Sequence, residues 1–164
     1  MIAAIGGAEL RELFEKGSAP RTFLMAAHIS LGLSILALLA ARLFARARSE
    51  VPEIVPTPHA LVHLASKVVH LALYAIMFVM PLIGYLMVNA KGRAVSFFGL
   101  ELPVFMAENK ELAHTLEEVH ETIGNIAILL IIAHAAAAIV HHVAFKDNTL
   151  ARMLPHGHRR NDAA

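Results

Sequence analysis

Three long apolar segments, separated by polar stretches, dominate the pattern of this chain. They cover residues 22–44, 61–88 and about 119–145, and the second holds eighteen consecutive residues, 71–88, without a charge. A helix needs about 20 predominantly apolar residues to cross the hydrocarbon core of a bilayer. The pattern therefore predicts an all-α integral membrane protein, a helical bundle with three transmembrane helices.

The polar stretches set the remaining boundaries. Residues 49–58 contain three prolines and predict a loop, because proline lacks a backbone donor and disfavours helix before it. Residues 89–112 predict a longer loop. We divide the chain into an extramembrane segment at 1–21, a transmembrane domain at 22–146 and a cytoplasmic tail at 147–164. The first segment is expected to form a short amphipathic helix whose polar side chains face water: Glu9, Arg11, Glu12, Glu15 and Lys16.

The composition supports a membrane protein and excludes several kinds of site. Of the residues, 57% are hydrophobic and 16% are charged, with a mean hydropathy of +0.61. The absence of cysteine excludes disulfides, iron–sulfur clusters and a covalently attached c-type haem. A net charge of +1 without a basic block gives no indication of nucleic-acid binding. A small excess of Lys and Arg in the segment after the first span and in the tail places the N-terminus on the outer face.

Two histidines of the third apolar segment, His120 and His134, lie fourteen positions apart. On a helix this interval returns to within about 40° of the same face and advances about 21 Å. The two imidazoles are therefore expected on one face at two depths. This spacing is typical of two flat cofactors placed one above the other across a membrane.

An outer b-type haem, with iron held between two imidazoles, would need a second histidine at the depth of His120. His28 meets this requirement, because the first and third spans run parallel and it lies about six residues into the first. Gly32 follows His28 by four positions and Gly124 follows His120 by four, which leaves room for a flat porphyrin on each helix face. The four alanines at 135–138 likewise leave room for a porphyrin beside His134, though less than glycine would.

The partner of His134 is less clear from the sequence. Within the spans, the candidates are His63 and His70, and His70 matches the depth of His134. Tyr74, four residues beyond His70, is bulky where a small residue is expected. Any single histidine in a membrane helix can instead form a hydrogen bond between helices, worth about 1 kcal/mol.

His141, His142, Lys146 and Asp147 cluster where the third span reaches the inner surface. Histidine donates hydrogen bonds and relays protons near neutral pH, so this cluster is a candidate site for a quinone headgroup. The alternative is that these side chains reach from the interface into water. The sequence does not decide between the two readings.

The chain resembles the bacterial cytochrome b561 family, di-haem membrane cytochromes that include a superoxide oxidase of the bacterial inner membrane. The resemblance covers about residues 20–155 and rests on HISLG at 28–32, VHETIGN at 119–125 and AHAAAAIVHHVAFKDNTLARMLP at 133–155. It implies a multi-pass inner-membrane protein whose outer haem is bound by His28 and His120, and whose inner haem is bound by His134.

The resemblance also implies a four-helix bundle in which an additional N-terminal helix supplies the second ligand of the inner haem. We expect this chain to contain three of those four helices. The inner haem would then be absent, five-coordinate, ligated by His70, or completed by another chain such as a second copy. One or two b haems are therefore expected.

These features predict a b-type cytochrome in contact with membrane lipid. It would transfer single electrons between an outer-face donor, with superoxide as one candidate, and membrane ubiquinone. No catalytic side chain is assigned, because the chemistry belongs to the iron of the haem. The alternative is a cytochrome anchor subunit that relays electrons for a partner dehydrogenase or hydrogenase. A histidine-lined zinc or copper transporter is a weaker rival, because the spans lack the polar residues of a pore.

Overall fold

The computed structural model describes residues 1–49 and 59–146. Helix α1 covers Ile2–Leu10 and leads through a single 3-10 turn, Arg11–Leu13, to the long helix α2. The bounds of the remaining elements are α2 Ala19–Ala47, α3 Ala60–Ala90, β1 Val95–Phe97, β2 Leu100–Leu102 and α4 Lys110–Val143. The predicted loop at 49–58, apart from Ser49, and the predicted tail at 147–164 lie outside the described residues.

The prediction of three membrane-spanning helices is confirmed. Helices α2, α3 and α4 contain 29, 31 and 34 residues and are long and apolar enough to cross a membrane. At about 1.5 Å per residue each exceeds the hydrocarbon thickness of about 30 Å, so their ends extend beyond the lipid core. Of the large apolar side chains in these three helices only Leu39 is buried, as expected for helices whose solvent is lipid.

The helix that contains the third span begins earlier than the sequence predicts. Helix α4 starts at Lys110, within the predicted loop, because the side chain of Asn109 accepts a hydrogen bond from the backbone N–H of Leu112 at 3.0 Å. Such a cap satisfies one of the free N–H groups of the first helical turn. The polar first turns of α4 therefore extend the helix beyond the membrane.

The remainder of the predicted loop contains a small hairpin that the sequence does not predict. Strands β1 and β2 are antiparallel, with Val95 opposite Leu102 and Phe97 opposite Leu100. The turn residues Phe98 and Gly99 both have positive φ, 49° and 88°, as a two-residue hairpin turn of this kind requires. Strands of three residues are too short to show a clear alternation of apolar and polar positions, which explains the missed hairpin.

The hairpin is attached to α2. The backbone N–H of Phe98 donates to Oγ of Ser30 at 3.0 Å, and Ser30 is buried in the first half of α2. A buried hydroxyl acceptor of this kind holds the turn at a defined height along the helix. The hairpin therefore covers the half of the bundle that the sequence predicts to face outward, called the outer half below.

The helices are arranged with α3 between α2 and α4, while α1 packs against α2. In the described part of the chain, α2 and α4 do not pack closely against each other. Helices α3 and α4 are antiparallel: Gly84 lies beside His120, and Met80 lies beside Gly124. The gap between α2 and α4 provides the space for the cavity described below.

The N-terminal segment differs from the predicted amphipathic helix. The helix ends at Leu10, and Arg11, predicted to face water, has a side chain only 28% exposed. Arg21 holds the turn that follows α1, because it donates to the carbonyl oxygens of Arg11 and Phe14 at 3.1 and 2.9 Å. Local charge pattern does not reveal this arrangement, because it depends on a residue of the next helix.

Candidate cofactor-binding site

A cavity of about 870 Å³ lies in the outer half of the bundle, between α1, α2, α3 and α4. Cofactor pockets commonly have volumes of about 300–1,000 Å³. His28 from α2 and His120 from α4 both line this cavity. The outer histidines predicted from the sequence therefore lie in a space large enough for a prosthetic group.

The rings of His28 and His120 approach one another across the cavity. Their centroids are 6.0 Å apart and the ring planes are inclined by 72°. Two imidazoles on opposite sides of one metal ion have ring centres about 6 Å apart, because each metal–nitrogen bond is about 2.0 Å long. This separation is the one expected if His28 and His120 together held one metal ion.

The tautomer of His28 suits metal binding. Its Nδ1 lies 2.8 Å from the carbonyl oxygen of Ala4, a buried residue of α1. A carbonyl oxygen only accepts hydrogen bonds, so Nδ1 carries the proton and Nε2 keeps a free electron pair. A bond of this kind from the second ring nitrogen orients a metal-ligating imidazole and makes it a better ligand. Helix α1 thus takes part in the site through its backbone.

Three glycines from three helices line the cavity: Gly32 of α2, Gly84 of α3 and Gly124 of α4. A Cβ atom on Gly32 would meet nothing within 4 Å, whereas one on Gly84 would lie 3.5 Å from Nε2 of His120. Gly32 and Gly124 were predicted from the sequence, but Gly84 was not. The spacing along α3 could have identified Gly84. It follows His70 by fourteen positions, and His134 follows His120 on the antiparallel helix α4 by the same interval.

The structure also places His70 and His134 together. Their ring centroids are 5.3 Å apart, with the planes inclined by 71°. His70 is exposed and His134 is half-buried, so this inner pair lies on an open side of the chain. The hydroxyl of Tyr74 accepts a hydrogen bond from Nε of Arg42 at 3.3 Å and is therefore directed towards α2.

Charged side chains surround the outer cavity. Arg21 donates to both carboxylate oxygens of Glu12, at 3.0 and 2.9 Å, and these bonds lower the pKa of Glu12 below its ordinary value. Lys91 donates to Glu117 at 2.8 Å. Arg11 and Arg93 also line the cavity. The mouth is thus polar and largely ion-paired, whereas its interior is apolar.

The inner cluster predicted for a quinone is only partly described. The ring of His141 contacts Phe145, with centroids 5.2 Å apart, while His142 and Lys146 are exposed. Asp147 lies outside the described residues. Among residues 1–49 and 59–146, no three His, Asp or Glu side chains lie close enough together to hold a metal ion. Four of the histidines in these ranges come together in two pairs, His28 with His120 and His70 with His134.

Comparisons with known proteins agree with this arrangement. The family described as "Prokaryotic cytochrome b561" matches residues 1–156. Cytochrome b561 homolog 1 of Escherichia coli (strain K12) is 37% identical over 147 residues, 90% of this chain and 84% of that protein. Probable superoxide oxidase CybB of Yersinia pestis is 35% identical over 143 residues, 85% of this chain and 81% of that protein. Cytochrome b561 homolog 2 of the same Escherichia coli strain is 32% identical over 128 residues, 77% of this chain and 68% of that protein.

The family match covers all three helices that are able to cross a membrane. This family implies a b-type haem and a role in electron transfer. The chain belongs to the prokaryotic cytochrome b561 family and is a multi-pass electron-transfer cytochrome of the bacterial inner membrane.

Proposed function

We propose that the chain binds two b haems, an outer one between His28 and His120 and an inner one between His70 and His134. The supporting observation is that two imidazole pairs from facing helices have centroid separations of 6.0 and 5.3 Å. Along α4 the two pairs are about 21 Å apart, because fourteen residues separate their histidines. Together they would provide two redox centres at different depths of the membrane.

The residues around the outer pair fit a haem. The cavity has the required volume, His28 presents the required tautomer, and glycine on each of the three long helices leaves room for a flat ring. When bound, a haem supplies one-electron oxidation and reduction at its iron. The chain would supply both axial imidazoles, so that substrate does not bind the iron directly. This arrangement supports electron transfer rather than oxygen activation.

Superoxide is the proposed donor and ubiquinone the proposed acceptor. Support for superoxide comes from a relative whose name is probable superoxide oxidase. The cavity is lined by four cationic and four carboxylate side chains, so its formal charge does not favour capture of an anion. The rate of electron transfer from superoxide to the chain should therefore depend only weakly on ionic strength. On the inner side, His141 and His142 would donate hydrogen bonds and protons to the reduced quinone.

The decisive experiment is a reduced-minus-oxidised optical spectrum of the purified chain with a measured haem-to-chain ratio. We expect a b-type spectrum and a ratio near two, falling to near one in His28→Ala and in His120→Ala. His114→Ala is the matched control, because His114 is an exposed histidine of α4 six residues before His120. A chain that binds no haem, or one that keeps both haems in these two variants, contradicts the proposal.

The electron donor is tested separately. Purified chain in vesicles that contain ubiquinone should reduce the quinone when superoxide is supplied, and His28→Ala should abolish the reaction. Co-purification of a large soluble dehydrogenase or hydrogenase, together with failure of superoxide to reduce the haem, would instead support the anchor-subunit alternative.

A further inference from the structure

Two of the four cationic side chains around the outer cavity donate hydrogen bonds to carboxylates of the protein. Both carboxylate oxygens of Glu12 accept from Arg21, and Glu117 accepts from Lys91. Arg21 in addition donates to two backbone carbonyls of the turn after α1. These two cations therefore have structural partners in the protein, whereas Arg11 and Arg93 keep donors without a hydrogen bond to a described carboxylate.

Arg11 forms an ion pair with Glu12, but the hydrogen bonding of its partly buried guanidinium is incomplete. Its Nε lies 3.0 Å from Oε1 of Glu12, but the groups are not aligned for a hydrogen bond, and this buried nitrogen has no hydrogen-bond partner. Its Nη1 donates only to the thioether sulfur of Met25, at 3.4 Å. Thioether sulfur is a weak acceptor, and a buried N–H without a partner costs free energy. The side chain is thus prepared for an anionic acceptor from the cavity.

Arg93 reaches the same cavity from the loop between α3 and β1. Its backbone N–H donates to the carbonyl of Val88 at 3.3 Å, and the N–H of Gly92 donates to Asn89 at 2.8 Å, so the loop is fixed to the end of α3. Within the described ranges, no carboxylate lies within ion-pair distance of its guanidinium. Arg93 is exposed, and its charge is available to a group at the cavity mouth.

We propose that Arg11 and Arg93 bind the two propionate groups of the outer haem. A b haem carries two propionate carboxylates, and this cavity has two guanidinium groups with unused donors. Arg11 has an ion pair only with Glu12, whose two oxygens already accept from Arg21, and Arg93 has no ion pair with a described residue. Guanidinium and carboxylate match in geometry and form two parallel charge-assisted hydrogen bonds. Glu9 and Glu121 also line the cavity, but both are exposed to solvent and neither pairs with these arginines. This inference depends on the proposed outer haem.

The test compares Arg11→Gln and Arg93→Gln with Lys16→Gln. Lys16 is an exposed cation of the same outer segment that does not line the cavity, so its variant removes equal charge away from the site. Haem dissociation is measured by transfer to an excess of a soluble haem-binding protein. We expect dissociation about tenfold faster or more in each arginine variant, from the loss of charge-assisted hydrogen bonds, and no change in Lys16→Gln.

The midpoint potential of the outer haem is a second readout. Positive charge near the iron favours the reduced state, so each arginine variant should lower the potential more than Lys16→Gln does. Arg11→Lys keeps the charge but not the fork of donors. The Arg11→Lys variant should keep the wild-type midpoint potential but lose haem faster than wild type. If Arg11→Gln does not fold, Arg11→Lys takes its place in the comparison.

If the wild-type chain binds no outer haem, the proposed function fails. If wild type binds it and His28→Ala loses it, but both arginine variants match Lys16→Gln in dissociation and potential, only the propionate assignment is wrong.

Discussion

His70 of α3 faces His134 of α4, with the centroids of the two rings 5.3 Å apart. The antiparallel packing of α3 and α4 produces this pair, because the same register places Met80 beside Gly124 and Gly84 beside His120. The sequence leaves the partner of His134 open and counts Tyr74 against His70. In the structure the Tyr74 hydroxyl bonds to Arg42 of α2. An inner imidazole pair is therefore present within one chain.

Replacing His70 should remove the inner haem alone. We expect His70→Ala to lower the haem-to-chain ratio from near two to near one, because His134 loses the imidazole that faces it. His63→Ala is the control, since His63 is an exposed histidine two turns earlier on α3. An unchanged ratio in His70→Ala, with loss of one haem in His134→Ala, would show that His134 has a different partner.

Gly84 should be required for the outer haem. A Cβ atom at this position would lie 3.5 Å from Nε2 of His120, so the methyl groups of Gly84→Val would occupy the space beside that nitrogen. We expect loss of the outer haem and retention of the inner one in the optical spectrum. Ala75→Val adds similar bulk at an exposed position of α3 and should bind both haems. Normal outer haem content in Gly84→Val would contradict the assigned geometry.

The contact between α1 and α2 should affect haem affinity through His28. A Cβ on Gly7 would already be in van der Waals contact with the carbonyl oxygen of Leu24, at 3.7 Å, so we expect the longer side chain of Gly7→Leu to push α1 away from α2 and displace Ala4 from His28. Loss of a hydrogen bond to a metal-ligating histidine typically weakens binding by about 10- to 100-fold. We expect haem to dissociate faster by about this factor.

Gly6→Leu is the matched control for this prediction. It places the same side chain one position earlier, where a Cβ would meet nothing within 4 Å. Equal dissociation rates in the two variants would mean that α1 does not position His28.

The ion pair between Glu12 and Arg21 should make the N-terminal turn sensitive to acid. Hydrogen bonds from Arg21 lower the pKa of Glu12 below its ordinary value of 4.5. A carboxyl group whose pKa is lower in the folded state than in the unfolded state stabilises the folded state at pH values above its unfolded-state pKa. This contribution is lost as the pH falls through its folded-state pKa. Glu12→Gln should therefore lower Tm at pH 7, and its difference from wild type should shrink at pH 3.

Glu15→Gln provides the comparison for the acid effect. Glu15 is an exposed carboxylate of the same segment without an ion pair to a described residue. Its Tm should follow that of wild type at both pH values. A constant difference between Glu12→Gln and wild type across this range would exclude the ion pair as its cause.

The sequence by itself determined the three apolar spans, the outer histidine pair and two of the three helical glycines that line the cavity. Each follows from local rules: the length of an apolar run, the angle and rise per residue of a helix, and the small size of glycine. The parallel direction of the first and third spans was enough to place His28 beside His120. These properties do not depend on how neighbouring helices rotate.

Only the tertiary structure decided the partner of His134, the role of Gly84, the carbonyl of Ala4 that orients His28, and the position of Arg11 at the cavity. Each depends on the rotation and register of one helix against another, which arise from the packing of many side chains together. The sequence shows which face a residue occupies along its own helix. It does not show which residue of another helix meets that face.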